Sequence, residues 1–231
     1  MKPDDLKAPF AWNNRRVIVE DHIFYVPTRC ETYSNFIFPG WNSPLFFANE
    51  NPVSIEYCSG NGAWIAEKAK GDPKMNWVAV EKKFMRVRKI WSKIKNLGLN
   101  NLIVICGEAS LATRLFLPAN SVSQIYINFP DPWPKKRHAK HRLMRPDFID
   151  QMERILKLEG SLTLVTDDAI YSENAIEELN RSVGFVSDFP EPFYLINQQG
   201  YGSSYFYELW KEKGREIRFH SYRKGRVNGR G

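Results

Sequence analysis

The stretch Val53-Ser54-Ile55-Glu56-Tyr57-Cys58-Ser59-Gly60-Asn61-Gly62-Ala63 decides the fold. Val53 to Tyr57 reads as a short strand and Ala63 to Lys70 as a helix. Between them, Ser59-Gly60-Asn61-Gly62 is a tight turn whose glycines permit positive φ and let a ligand come close to the backbone. Working outward, the same unit repeats. Trp77 to Val80 is a strand ending at Glu81, and Phe84, Val87, Trp91 and Ile94 recur at helical spacing over 83–97. Leu102 to Cys106, Ser123 to Asn128 and Ser161 to Thr166 read as strands, and Asp147 to Leu156 and Ser172 to Val183 as helices, the first opened by Pro146 and Asp147. Tyr205 to Trp210 and Ile217 to Tyr222 read as a closing antiparallel pair. Strands alternating with helices predict an α/β fold with a mainly parallel sheet and helices on both faces. Residues 1–51 show no clear period and read as an N-terminal arm packed on a domain spanning 52–222, with a basic, Gly-rich mobile tail at 223–231.

The bulk properties narrow the partners. A chain of 231 residues suits one domain with a sizeable core. The formal net charge of +7 favours polyanions, although charge alone also serves solubility. Cys30, Cys58 and Cys106 are odd in number and widely spaced, which indicates neither a disulfide framework nor a metal site. A reducing, cytoplasmic setting is expected. No apolar run has the length of a membrane span or the form of a signal peptide, so no membrane partner is expected.

Acids at successive strand ends carry the first chemical signal. Glu81 stands 25 positions after Glu56, where an acid commonly accepts hydrogen bonds from a ribose hydroxyl pair. Gly107-Glu108-Ala109 ends the next strand and is expected to face an adenine. With Gly60 and Gly62, these acids favour an adenosine-containing ligand over a plain turn. The third glycine of a dinucleotide fingerprint is missing and no Walker lysine follows, so a phosphate-free ligand such as S-adenosylmethionine fits better. The second signal is Phe129-Pro130-Asp131-Pro132-Trp133-Pro134-Lys135-Lys136-Arg137-His138-Ala139-Lys140-His141-Arg142. Alternating prolines stiffen this loop at the carboxyl end of a strand, the usual place for ligands in an open α/β sheet. Asp131 is thus a fixed carboxylate beside a basic patch, with Lys135, Arg137, Lys140 and Arg142 as candidate phosphate contacts; the plain alternative is a solvated basic loop. Thr166-Asp167-Asp168 ends the fifth strand on the same rim, where its acids either flank a base or cap a helix.

The run Phe-Pro-Asp-Pro-Trp followed by a Lys/Arg/His cluster resembles bacterial tRNA (guanine-N7)-methyltransferases, and the likeness spans about residues 50–215. The resemblance implies a single Rossmann-like class I methyltransferase domain with a seven-stranded sheet. It implies S-adenosylmethionine as cofactor, held by Glu56, Gly60, Gly62, Glu81, Glu108 and Asp131. It implies tRNA as partner, in contact with Lys135 and Asp167, and catalysis by Asp131 and Asp167 at guanine 46 of the variable loop. The family's late Thr-x-Phe/Tyr-Glu motif is represented by Ser204-Tyr205-Phe206-Tyr207-Glu208, which adds Ser204 and Glu208 to the substrate set. Cys58 stands where the first glycine of the cofactor loop is usual, and Glu108 where an aspartate is usual. No metal is expected, and the chain is expected to work as a monomer or homodimer.

The chemistry agrees with these residue types. Guanine N7 has an in-plane lone pair and no proton, so methylation there needs no general base. A fixed carboxylate stabilises the charge that the purine gains and accepts from its N1–H and N2–H₂ edge. Two other readings stay open: a non-catalytic tRNA-binding protein with a decayed cofactor pocket, and a methyltransferase with another substrate.

Overall fold

The computed structural model describes residues 1–11, 15–29, 33–133, 142–202 and 204–225. They fall in two compact units, Met1–Pro118 and Ala119–Gly231.

The first unit opens with a hairpin, β1 (Ile18–Glu20) and β2 (Ile23–Tyr25). Its two-residue turn places Asp21 and His22 at φ 48° and 66°, the left-handed pair that matches the twist of a hairpin. Three strand–helix steps follow: β3 (Val53–Tyr57), α1 (Ala63–Gly71), β4 (Asn76–Glu81), α2 (Phe84–Leu97), β5 (Leu102–Cys106) and α3 (Ala109–Phe116). Within this unit the strand order is β1-β2-β5-β4-β3, parallel throughout except for β1. Every residue of β3, β4 and β5 is buried, so β4 and β5 carry near-continuous apolar runs, whereas β3 alternates its apolar residues with the buried Ser54 and Glu56. Ile55, Val78 and Val104 have no exposed surface, and such burial contributes about 1.5–3 kcal/mol per side chain. The helix stripe is realised in α2, where Val87, Ile90, Trp91 and Ile94 are buried.

The expectation of an irregular stretch over 1–51 is corrected by the hairpin. Ile23, Phe24 and Tyr25 are buried, with Ile23 in register with Val104 of β5. A three-residue strand is too short to display a period, so its apolar run left no pattern to read.

The second unit contains β6 (Val122–Asn128), α4 (Pro146–Ile155), β7 (Leu156–Thr166), α5 (Ala169–Arg181), β8 (Phe185–Ser187), β9 (Leu195–Ile196), α6 (Tyr205–Glu212) and β10 (Arg218–Lys224). β6 and β7 are parallel, with Asn128 opposite Val165. β10 runs antiparallel to β7, with Phe219 opposite Val165, and antiparallel to β8, with Tyr222 opposite Ser187. The closing antiparallel strands are therefore present, but Tyr205 to Trp210 is not one of them. It lies in α6, which Ser204 starts by accepting the Tyr207 N–H at 3.1 Å. Tyr207 and Trp210, three positions apart on the helix, lie against the cluster Val165, Ile217 and Phe219. Cap and packing together override the β propensity of the aromatic run. The described residues contain ten strands rather than the seven expected. β10 continues through Lys224, and residues 226–231 of the expected tail lie outside the described residues.

Candidate active site

In the first unit the turn after β3 is stitched to β4. Ser59 N–H donates to the Val80 carbonyl at 3.2 Å, Val80 N–H donates to Ser59 Oγ at 3.2 Å, and Ser59 Oγ donates to the Glu56 carbonyl at 2.8 Å. Cys58, Gly60 and Gly62 all have left-handed φ, at 62°, 57° and 69°. Gly62 admits no side chain, because a Cβ there would lie 2.6 Å from Ile90 Cγ1. Glu81, 5% exposed, holds this turn from the end of β4: Oε2 accepts the Gly60 N–H at 3.2 Å and Oε1 accepts the Lys83 N–H at 2.8 Å. Arg86 Nη1 lies 3.6 Å from Oε2. The structure thus joins two residues that the sequence assigned to one ligand. It also adds Lys93, whose ammonium donates to the Asn61 carbonyl at 2.9 Å. Burial, with Lys89 nearby, lowers the Lys93 pKa. The basic character of α2 concealed this role, since the face that carries Lys93 reads as solvated.

Glu56 is almost fully buried at the end of β3. Glu108 is the N-cap of α3, with Oε1 accepting from Ser110 N–H at 3.2 Å and Oε2 from Leu111 N–H at 2.7 Å. Its carboxylate is therefore fixed by the helix it opens. Gly107 just before it is required by a close approach, since a Cβ would sit 2.9 Å from Val26 Cβ. Cys106 is buried beside Glu81, and desolvation followed by that charge pushes its thiol up to about 12. It is no nucleophile.

In the second unit the Asp131 loop leaves β6 through Phe129, at φ 47°, whose N–H donates to the Val165 carbonyl at 2.8 Å. Phe129 packs on the Val165–Ile217–Phe219 cluster, and Tyr201 Oη donates to Asn128 Oδ1 at 2.7 Å. Asp131 is exposed. Arg142 is half-buried, and its guanidinium turns into the loop: Nε donates to the Pro132 carbonyl at 3.1 Å and Nη2 to the Trp133 carbonyl at 3.3 Å. Lys135, Arg137 and Lys140 lie outside the described residues.

The two acids after β7 divide their work. Asp168 caps α5 by accepting the Tyr171 N–H at 2.7 Å. Asp167 instead accepts from Arg215 Nη1 at 2.5 Å, a residue no sequence motif singled out. Ser204 is occupied as the cap of α6, and Glu208 is exposed in the first turn of that helix. His220 is buried, with Nδ1 3.1 Å from the Phe193 carbonyl and Nε2 3.1 Å from Ser172 Oγ. Desolvation, against the Phe193 hydrogen bond and with the charge of Arg218, lowers its pKa to about 4, so it is a neutral structural histidine near neutral pH. Among the described residues no three His, Cys, Asp or Glu side chains gather as a metal site, and no helix is long and apolar enough to cross a membrane.

Residues 50–217 match the family model described as "Putative methyltransferase". A Chlamydia muridarum protein named tRNA (guanine-N(7)-)-methyltransferase is 46% identical over 218 residues, covering 94% of this chain and 95% of the other. The chain belongs to the tRNA (guanine-N7)-methyltransferase family. A Staphylococcus aureus protein of the same name is 34% identical, over 76% of this chain and 84% of its own. Among solved structures, the 16S rRNA methyltransferase KamB aligns with a TM-score of 0.56 at 15% identity, covering 78% of this chain and 90% of that one. TrmN from Thermus thermophilus aligns with a TM-score of 0.56 at 18% identity, covering 84% and 52%. These two likenesses concern the fold: α/β, with mainly parallel strands and antiparallel strands at the C-terminal end. Within the methyltransferase family, the departures seen in the sequence now have locations. Cys58 holds a left-handed φ that suits glycine, and Glu108 spends both carboxylate oxygens on a helix cap.

Proposed function

We propose that this chain transfers the methyl group of S-adenosylmethionine to N7 of guanine 46 in the variable loop of tRNA, working in the cytoplasm. The observation that carries this reading is the 46% identity to a tRNA (guanine-N(7)-)-methyltransferase along nearly the whole chain. The local chemistry supports it. Glu81 is a buried acceptor locked to the backbone of the glycine turn, which suits a ribose diol, and the Lys93 ammonium is spent on the Asn61 carbonyl rather than offered to a phosphate. When bound, the cofactor supplies a methyl group on a positively charged sulfur.

The remaining work falls to the chain's own groups. With the cofactor bound, guanine N7 would contribute its lone pair to the new C–N bond and the C–S electrons would stay with sulfur. The positive charge moves to the purine and no proton is transferred, so no base is needed. Asp131 stands on a loop fixed by Phe129 and by Arg142, and a preorganised carboxylate opposes the growing charge without reorganising. Asp167 supplies the second carboxylate, for the N1–H and N2–H₂ edge. Lys135, Arg137 and Lys140 are proposed to hold phosphates.

The test is methyl transfer from labelled S-adenosylmethionine to unmodified tRNA, followed by digestion to nucleosides. Label in 7-methylguanosine is the expected result. Label in another nucleoside refutes the assignment of the base, and bound tRNA without label refutes catalysis.

A further inference from the structure

Arg215 lays its guanidinium over the Trp210 indole, with Cζ 3.9 Å from the ring centroid, and donates from Nη1 to Asp167 Oδ2 at 2.5 Å. Asp167 is 13% exposed and Arg215 50%, so the carboxylate is the fixed partner and the arginine the accessible one. A cleft of about 370 Å³ opens here, lined by Asp167, Ala169, Arg215, Glu216 and Arg218. Trp210 itself is anchored on the Val165–Ile217–Phe219 cluster, so its face is a rigid platform.

A guanidinium and the C2 edge of guanine carry the same planar donor pattern: a carbon flanked by two nitrogens that bear hydrogen. An aromatic face with a carboxylate at its border therefore suits either group. The likeness becomes closer as guanine is methylated at N7, because the purine then also carries a delocalised positive charge. A cation over an indole gains from the ring quadrupole, whereas the neutral base gains only stacking.

We propose that Trp210 and Asp167 form the seat of the target guanine as it gains charge at N7, and that Arg215 fills that seat in the free protein. The proposal rests on the methyltransferase reading and deepens it. The seat favours the charged base over the neutral one, which is the discrimination a catalyst of this reaction needs. Arg215 makes the seat available by swinging out into solvent, while Asp167 is never left as a lone buried charge.

The experiment compares binding of 7-methylguanosine 5′-monophosphate, guanosine 5′-monophosphate and adenosine 5′-monophosphate by calorimetry. Mildly acidic pH keeps the N1 proton on the methylated base. For the unmodified protein, the methylated nucleotide is expected to bind roughly tenfold more tightly than its neutral parent, and the adenine nucleotide most weakly. Arg215→Ala is expected to tighten binding of the methylated nucleotide about threefold or more, by removing the occupant and its charge. Trp210→Phe keeps an aromatic ring against the core but is a poorer cation platform, and is expected to reduce the tenfold preference. Equal affinity for the methylated and neutral nucleotides overturns the proposal. Weaker binding in Arg215→Ala overturns it as well, since the arginine would then be a nucleotide contact. None of these measurements needs turnover. A preference found in a protein that makes no 7-methylguanosine leaves the seat standing and removes the proposed function; an active enzyme without the preference does the reverse.

Discussion

Replacing Arg142 by alanine separates two roles that the sequence cannot distinguish. In the basic run Arg142 counts as one more phosphate contact. In the structure its guanidinium is half-buried and donates to the carbonyls of Pro132 and Trp133 at 3.1 and 3.3 Å, bracing the loop that carries Asp131. A hydrogen bond from a charged donor is worth about 1.5–3 kcal/mol when well shielded. Solvent access and the length of the second bond bring the pair to about 1–2 kcal/mol. If that energy holds Asp131 where charge develops, its loss slows methyl transfer roughly 5- to 30-fold. The assay is single-turnover methyl transfer at saturating tRNA, paired with tRNA affinity measured from low to moderate salt. The expected result is a slower rate with an unchanged slope of log K against log salt. Arg142→Lys, with one compact donor in place of a fork, is expected to recover part of the rate. A slope reduced by about 0.7–0.9 with an unchanged rate would refute the reasoning and make Arg142 a phosphate contact.

Gly62→Ala adds a left-handed penalty of about 1 kcal/mol to about 1–3 kcal/mol for the collision with Ile90, whereas at Gly60 the nearest atom to a Cβ is 3.8 Å away and only the first cost applies. In urea the first variant should lose about two to four times the stability of the second, and equal losses would show that Ile90 yields. Cys58→Gly relieves a side chain held at φ 62° and is expected to raise stability by about 0.5–1 kcal/mol. A lower urea midpoint at unchanged m would mean that the contacts of the thiol outweigh its strain. The pKa of His220 falls from 6.5 to about 4 on folding, so protonation favours the unfolded chain. Its contribution is fully present above pH 6.5 and drains away as pH falls toward 4, by up to about 3 kcal/mol. An NMR titration placing the imidazole near its ordinary value would remove that effect.

The parallel half of the fold was legible because its strands and helices are long enough to show a period. β4 and β5 announce themselves as buried apolar runs and α2 as a stripe. Short or cap-driven elements were not legible. β1 and β2 are three residues each, and α6 is an aromatic run that reads as strand until Ser204 is seen to cap it. α3 is not legible for a related reason: its start rests on the Glu108 carboxylate, which accepts two backbone N–H groups of the first turn. In the candidate site, spacing along the chain singles out Glu81 and Gly60, which the structure joins by a hydrogen bond. Residues that act through the backbone or through stacking leave no spacing. Lys93 looked like surface charge, Arg142 like one cation among several, and Arg215 and Trp210 belonged to no motif.

The hairpin at the start of the chain has a bearing on solubility. Without it, β5 would be the last strand of the first unit, a run of five buried residues presenting unpaired amides and carbonyls. β2 covers that row, and the exposed margin passes to β1, only three residues long and closed by the tight Asp21-His22 turn. Asp21 is also tied by an ion pair to Lys95 of α2. A margin so short gives another chain little to pair with, so the least regular-looking part of the sequence guards its most apolar strands against aggregation.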